Sequence, residues 1–153
     1  MRHRSLIRYP RRSLPEKLLR HVLTPLADPL FWAALVPGLF AVLLPRPAHD
    51  IATSVLLLRG FAEELFFRAG AQESLALALG RRQTEWTVGP VTPANLLGSA
   101  VFALAHLAVN PVPMAALTFF PSLVFGWLWD RHRNVVPCWL CHFFYNICLF
   151  GRA

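Results

Sequence analysis

Apolar residues are grouped along this chain into blocks of about 15–20 residues, separated by short runs that contain Pro, Gly and Arg. Blocks of this length fit helices that cross a lipid bilayer better than the one-sided helices of a soluble core. The pattern therefore predicts an all-α fold, a polytopic membrane helix bundle with about five transmembrane helices. The predicted spans cover roughly residues 28–44, 50–79, 94–109, 112–129 and 135–150.

The second predicted span is longer than a bilayer requires. At a rise of 1.5 Å per residue, a helix over residues 50–79 would be about 43 Å long, against a hydrocarbon core of about 30 Å. We expect this helix to tilt or to extend beyond the hydrocarbon.

An amphipathic segment precedes the first span. A helix over residues 14–23 has aliphatic side chains on one side and basic ones on the other, a pattern typical of helices that lie on the membrane surface. We therefore divide the chain into residues 1–27, a basic cytoplasmic tail with an interfacial helix, and residues 28–153, a transmembrane core. The two faces of the helix consist of Leu14, Leu18, Leu19, Val22 and Leu23, and of Lys17, Arg20 and His21.

Composition and charge agree with a membrane protein. Only 15% of the residues are charged and 56% are hydrophobic, whereas soluble domains average about 25% charged residues. The net charge of +7 comes largely from the N-terminus, because seven of the 15 Lys and Arg residues precede residue 21. We expect this tail to contact anionic lipids. No nucleic-acid-binding motif accompanies it, so nucleic acid is not an expected partner.

The positions of the basic residues also predict the orientation of the chain. With the N-terminus in the cytoplasm, the predicted inner segments hold 11 Lys and Arg residues and the outer segments hold Arg46 and Arg152. An excess of positive charge on the inner side is the rule for helical membrane proteins. We expect an integral membrane protein with its N-terminus in the cytoplasm.

The three cysteines all lie in the last apolar block. Cys138 and Cys141 form a C-x-x-C pair without the strand-then-helix context of a redox motif. We expect them to be small buried side chains.

Charged residues interrupt the second span near its middle. Arg59, Glu63, Glu64 and Arg68 fall within it, and a charged side chain at that depth costs about 2.5–3.5 kcal/mol on insertion scales. Arg59 and Glu63 are four residues apart, as are Glu64 and Arg68, which is the spacing of an ion pair along one helix face. Two structural ion pairs would account for them. Buried pairs are poor stabilisers, however, so a functional site is the other interpretation.

Two further spans each contribute an isolated polar cluster. Phe102 and His106 lie four residues apart in the third, and His142 and Asn146 lie four apart in the fifth. These are the only histidines within the predicted spans. Each cluster alone can be explained by a satisfied interior histidine or an interhelical hydrogen bond. Together with the glutamates, they predict one shared interior site.

The order E-E-x-x-x-R, F-x-x-x-H, H-x-x-x-N resembles the CPBP family of glutamic-type intramembrane endopeptidases, which includes the type II CAAX prenyl proteases. The resemblance covers roughly residues 55–150. One departure is the sequence Arg68-Ala69-Gly70, where many members have Arg-Gly directly. The chain is short and has little mass outside the predicted spans, and in this it resembles the compact sorting proteases called myxosortases. The motif residues are Glu63, Glu64, Arg68, Phe102, His106, His142 and Asn146.

The resemblance implies a metal-free peptide hydrolase. Glu63 would activate water, assisted by His106, and Glu64 would be a supporting acid held by Arg68. Of the remaining motif residues, His142 and Asn146 would stabilise the oxyanion, and Phe102 would pack against the substrate pocket. The implied substrate is a membrane-anchored protein or peptide, cleaved near its anchored, C-terminal end.

Other functions remain open at this stage. A His2Glu set with His106 and His142 can bind zinc, but the H-E-x-x-H signature is absent and we expect no cofactor. A non-enzymatic immunity or scaffold protein of the same fold, or a small proton or ion transporter, would also carry intramembrane Glu and His. His106 lies near the predicted outer end of its span, which favours a site that opens to the non-cytoplasmic side.

Overall fold

A computed structural model describes residues 14–44, 51–80 and 91–151. This part of the chain is helical, as predicted, and it forms a helix bundle. The first helices are α1 (Leu14–Leu26) and α2 (Pro29–Leu39), which is followed by a 3-10 turn (Phe40–Leu43). The remaining elements are α3 (Thr53–Glu64), a π-helical stretch (Leu65–Gln72), α4 (Glu73–Ala78), α5 (Pro93–His106), α6 (Val112–Leu117), α7 (Phe119–His132) and α8 (Val135–Phe150).

Three helices begin at side-chain caps that the sequence supplies. Asp28, Thr92 and Asn134 each accept a hydrogen bond from a backbone N–H two or three residues further on. Pro29 and Pro93 follow the first two caps, at a position where the missing N–H costs nothing. These caps fix where α2, α5 and α8 start.

The second predicted span is helical over residues 53–78, but it is not a regular α-helix. Leu65–Gln72 is π-helical, with the N–H of Glu73 directed at the carbonyl of Arg68, five residues earlier. The α-helical repeat of 3.6 residues per turn therefore does not hold across this stretch. The hydrophobic periodicity of the sequence did not indicate this change. π-Helical insertions occur frequently at functional sites.

The last helix, α8, lies at the centre of the bundle and packs against α2, α3 and α7. Tyr145 donates a hydrogen bond to the Ala34 carbonyl of α2 over 2.7 Å, and the Trp139 indole donates to the Leu57 carbonyl of α3 over 2.8 Å. Cys138 and Cys141 are buried, as predicted, and Cys148 is partly buried. The core cluster consists of Phe31, Ala34, Phe125, Leu128, Trp129, Cys138, Cys141 and Tyr145.

Among the described residues, one helix is long and apolar enough to cross a membrane, the segment Val112–His132. Leu18–Leu26 and Pro29–Leu43 satisfy the same test together, but the pair is bent by 59°. Helix α8 is apolar and shorter, with 16 residues. The fold is an all-α membrane bundle, and the count of five spans remains a prediction.

The outer surface of the bundle carries many large apolar side chains. Leu18, Leu19 and Leu23 are exposed on α1, in agreement with the predicted amphipathic helix. Large apolar side chains on the surface are unfavourable in water, so we expect these to face lipid. Strongly exposed examples on other elements are Leu43, Leu58, Phe66, Leu104 and Phe120. The basic residues before Leu14, and Arg46 and Arg152, lie outside the described residues.

Candidate active site

A completely buried ion pair joins the end of α3 to the π-helical stretch. Glu64 Oε2 lies 3.0 Å from Arg68 Nε, and neither side chain is exposed. The pair spans four residues, as the sequence predicts. Two opposite charges without solvent require further hydrogen bonds, because desolvation otherwise exceeds their mutual attraction.

Those further hydrogen bonds come from two residues that were not among the predicted site residues. Arg68 Nη1 donates to Gln72 Oε1 over 3.1 Å, and Nη2 donates to Ser122 Oγ of α7 over 2.6 Å. The signal for Gln72 is its spacing, because Glu64, Arg68 and Gln72 recur every four residues. Ser122 is a single hydroxyl in an apolar block, and neither spacing nor composition distinguishes it.

The second oxygen of Glu64 contacts the imidazole of His142 on α8. Glu64 Oε1 lies 2.7 Å from His142 Nδ1, so an ionised carboxylate accepts a hydrogen bond from the Nδ1–H. The ring stacks on Phe125, with centroids 4.8 Å apart and planes inclined by 14°. These contacts fix the orientation of the imidazole and leave Nε2 on its opposite edge.

Glu63 lies at that opposite edge of His142 and occupies a different environment from Glu64. Its Oε2 is 3.7 Å from His142 Nε2, too far for a hydrogen bond, and its Oε1 is 2.6 Å from Arg59 Nε. The Glu63 side chain is 17% exposed and that of Arg59 is 49% exposed. Glu63 is therefore the accessible carboxylate of the two.

His106, on α5, makes its side-chain hydrogen bond within its own helix. His106 Nδ1 lies 2.9 Å from the Phe102 carbonyl, which can only accept, so Nδ1 carries a proton and donates it to that carbonyl. The imidazole packs on the Phe102 ring at a centroid distance of 4.3 Å. Within the described residues, His106 forms no ion pair with Glu63 or Glu64.

Phe102 connects the clusters by packing. The ring of this buried residue lies 6.0 Å from His142 between centroids, and the guanidinium carbon of Arg68 lies 5.6 Å from its centroid. The predicted aromatic residue thus contacts polar groups from α5, α8 and the π-helical stretch. Its ring is enclosed by these neighbours, in contrast to Glu63, which is accessible.

Asn146 lies one helical turn after His142 and is partly buried. Its amide makes no side-chain hydrogen bond to any described residue, so its donors are not committed to the contacts that hold Glu64 and Arg68. The structure places it on the same helix as His142 and gives no direct contact with Glu63.

No group of three or more His, Cys, Asp or Glu side chains among the described residues is arranged to hold a metal ion. The expectation of a metal-free site remains a prediction. Cys141 does not face the polar cluster, because its thiol donates to the Ala34 carbonyl of α2 over 3.6 Å.

The arrangement has the components of a general acid–base site. One accessible carboxylate faces an imidazole, and that imidazole is held on its far side by a carboxylate with a buried guanidinium partner.

A family model described as type II CAAX prenyl endopeptidase Rce1-like matches residues 45–148, which include every one of these side chains. No curated protein and no solved structure matches the chain significantly.

Proposed function

The chain belongs to the type II CAAX prenyl endopeptidase Rce1-like family, a family of membrane-embedded proteases, and we propose that it hydrolyses a peptide bond with a water molecule activated by Glu63. The observation that carries the proposal is the difference between the two adjacent glutamates. Glu63 is accessible and faces an imidazole, whereas Glu64 is buried between Arg68 and His142. A base must be accessible to water, and of the two glutamates only Glu63 has exposed side-chain surface.

Glu63 acts as the general base in this proposal. The water oxygen attacks the scissile carbonyl carbon while its proton passes to a Glu63 oxygen. The same proton is then delivered to the leaving nitrogen as the C–N bond breaks, which restores the carboxylate. A positioned acid or base of this kind contributes about 10²- to 10⁴-fold to the rate.

His142 is the imidazole next to Glu63, so it takes the role that the resemblance assigns to His106. Glu64 holds Nδ1 of His142, and Nε2 is directed to the side where Glu63 and the water act. Arg68 compensates the charge of Glu64, which would otherwise be isolated in the bundle. His106 packs on the same Phe102 ring that His142 approaches, at centroid distances of 4.3 and 6.0 Å.

Asn146 is proposed as the donor to the oxyanion of the tetrahedral intermediate. Its amide needs no change of protonation, and no described residue occupies its donors. One such donor is typically worth about 3 kcal/mol of transition-state stabilisation.

The substrate proposed is a membrane-anchored protein or peptide, cut near its anchored C-terminal end, in the manner of a compact sorting protease of the myxosortase type. The many apolar side chains on the outside of the bundle support an approach of the substrate from lipid. We place the protein in the bacterial inner membrane with its N-terminus in the cytoplasm and its basic tail on anionic lipid.

The test is cleavage of membrane-anchored reporter peptides by the purified protein in liposomes. Wild type is expected to cleave, and Glu63→Gln is expected to lose about 10²-fold or more of the rate with an unchanged unfolding temperature. Glu73→Gln is the matched control, because it makes the same change of charge at a side chain that contacts Trp129 and Arg133. Equal cleavage by wild type and Glu63→Gln would refute the role of Glu63.

A non-enzymatic scaffold is the second candidate, and one observation favours it. The Glu64–Arg68 pair is completely buried, as a purely structural ion pair would also be. In that case wild type would cleave none of the reporters, and Glu63→Gln would lower stability alone.

A further inference from the structure

The guanidinium of Arg68 is held at all three nitrogens. Nε donates to Glu64, Nη1 to Gln72 and Nη2 to Ser122, with donor–acceptor distances between 2.6 and 3.1 Å. All four side chains are buried. A planar guanidinium with three fixed acceptors has one orientation, and that orientation sets where the Glu64 carboxylate lies.

The acceptor on Gln72 is itself fixed from the opposite end of its amide. Gln72 Nε2 donates to the Gly126 carbonyl and to Asp130 Oδ1, both over 3.0 Å. Both partners accept, so the amide nitrogen must face them and Oε1 must face Arg68. The other oxygen of Asp130 accepts from the Thr92 hydroxyl over 2.7 Å, which secures Asp130 against the start of α5.

Close approach of α7 makes these contacts possible. Gly126 has no side chain, and a Cβ at this position would overlap the side chains of Asn95 and Gln72. The backbone carbonyl of Gly126 thereby comes within reach of the Gln72 amide. The contacts connect α7 to the π-helical stretch by polar groups that belong to none of the recognised motifs.

We propose that Ser122, Gln72 and Asp130 are positioning residues, which orient the imidazole of His142 through Arg68 and Glu64. The inference rests on the proposed function, since it assigns these residues to the same hydrolytic site. Each step is one hydrogen bond. Ser122 and Gln72 fix the guanidinium of Arg68, and Arg68 fixes one oxygen of Glu64. The other oxygen of Glu64 fixes Nδ1 of His142. None of the three positioning residues touches the substrate.

The first test compares Ser122→Ala with Ser122→Thr in the liposome cleavage assay. Removing the hydroxyl leaves Nη2 of Arg68 without its acceptor, and Thr restores one. Residues that orient a catalytic side chain from behind typically change activity about 10- to 100-fold. We expect Ser122→Ala to lower kcat by that factor with KM within about twofold of wild type, and Ser122→Thr to recover most of kcat.

The second test uses Asp130. This residue is less buried than Ser122 and Gln72, so we expect its variants to fold more readily. Asp130→Asn keeps an oxygen for the Gln72 amide, whereas Asp130→Leu removes it and leaves the amide held by the Gly126 carbonyl alone. We expect Asp130→Leu to lower kcat in the same direction as Ser122→Ala, and Asp130→Asn to stay close to wild type. Equal kcat for the two variants contradicts the proposal.

The third test does not depend on cleavage. The 15N signals of His142 report the hydrogen bond at Nδ1, and we expect them to move in Ser122→Ala and Asp130→Leu. Tyr145→Phe is the control, because it removes a buried hydrogen bond to α2 and should leave these signals and kcat unchanged. If the signals and kcat of Ser122→Ala match wild type, the residues only stabilise the fold. If wild type cleaves nothing but the signals move, the positioning stands and the proposed protease function fails.

Discussion

Glu63 and Glu64 approach opposite nitrogens of one imidazole. Glu64 Oε1 lies 2.7 Å from Nδ1 of His142, and Glu63 Oε2 lies 3.7 Å from Nε2. Neighbouring residues of a helix differ by about 100° in direction, and His142 lies where it can face both carboxylates. The result is an imidazole anchored on its buried side and open on its accessible side.

The two glutamates should therefore respond differently to the same substitution. Glu64→Gln leaves the Arg68 charge buried without its carboxylate, which typically costs about 3–5 kcal/mol. Glu63→Gln removes a partly exposed pair with Arg59, worth about 0–1 kcal/mol. We expect thermal unfolding in detergent to show a large decrease for Glu64→Gln and almost none for Glu63→Gln. Similar decreases for both would contradict the assignment of the buried and accessible roles.

The two histidines provide a second comparison. His142 is buried and bonded to Glu64, whereas His106 is partly exposed and bonded within its helix. If His142 is the partner of Glu63, His142→Gln should lower kcat by about 10²-fold or more, and by more than His106→Gln does. A larger loss for His106→Gln would restore the assignment that the family resemblance implies.

The glycines Gly60 and Gly126 make a matched pair for packing. A Cβ on Gly60 would lie 3.8 Å from the His142 ring, which is ordinary contact, whereas one on Gly126 would overlap Asn95 and Gln72. We expect Gly60→Ala to fold and cleave like wild type within a few-fold. Gly126→Ala should lose about 1–3 kcal/mol from overpacking and should also lower kcat, because Gln72 is displaced. Chemical denaturation and kinetics of the two variants in parallel would measure both effects.

Much of the fold could be predicted because the apolar blocks and their caps determine it locally. The second span, α5, the segment Val112–His132 that holds α6 and α7, and α8 begin and end close to the predicted positions. The pairs Arg59–Glu63 and Glu64–Arg68 follow from four-residue spacing. The spacing could not reveal that the helix becomes π-helical after Leu65, since hydrogen-bond register within a helix leaves no trace in hydrophobic periodicity.

The candidate site was predictable in its members and less so in its contacts. Charged residues in an apolar helix require partners, so Glu64 and Arg68 were evident. Which histidine faces Glu63 depends on how α5 and α8 are rotated in the bundle, and no local pattern determines that rotation. Ser122 was missed for the same reason, because its contact with Arg68 joins positions 54 residues apart.

Helix α2 lies before the matched family region, and two side chains of the site helix, Tyr145 and Cys141, donate to its Ala34 carbonyl. Tyr145 donates to the Ala34 carbonyl, and a Cβ on Gly38 would overlap the Tyr145 ring. We expect Tyr145→Phe to lower stability by about 1 kcal/mol, since the buried carbonyl loses the closer of its two side-chain donors, and to leave kcat unchanged. Hydrogen exchange should show faster exchange in α2 than in α3. Loss of cleavage in a folded Tyr145→Phe protein would instead make α2 part of the active site.

The route of the oxygen atom tests the role of Glu63 most directly. Single-turnover cleavage in H₂18O, followed by mass spectrometry of the new carboxyl terminus, shows whether the oxygen added to the product comes from water or from a side chain. If Glu63 activates water, the first-turnover product carries one 18O atom, and Glu63→Gln forms that product about 10²-fold or more slowly. A first-turnover product without 18O would mean that a side-chain oxygen attacked the carbonyl, and it would contradict the account.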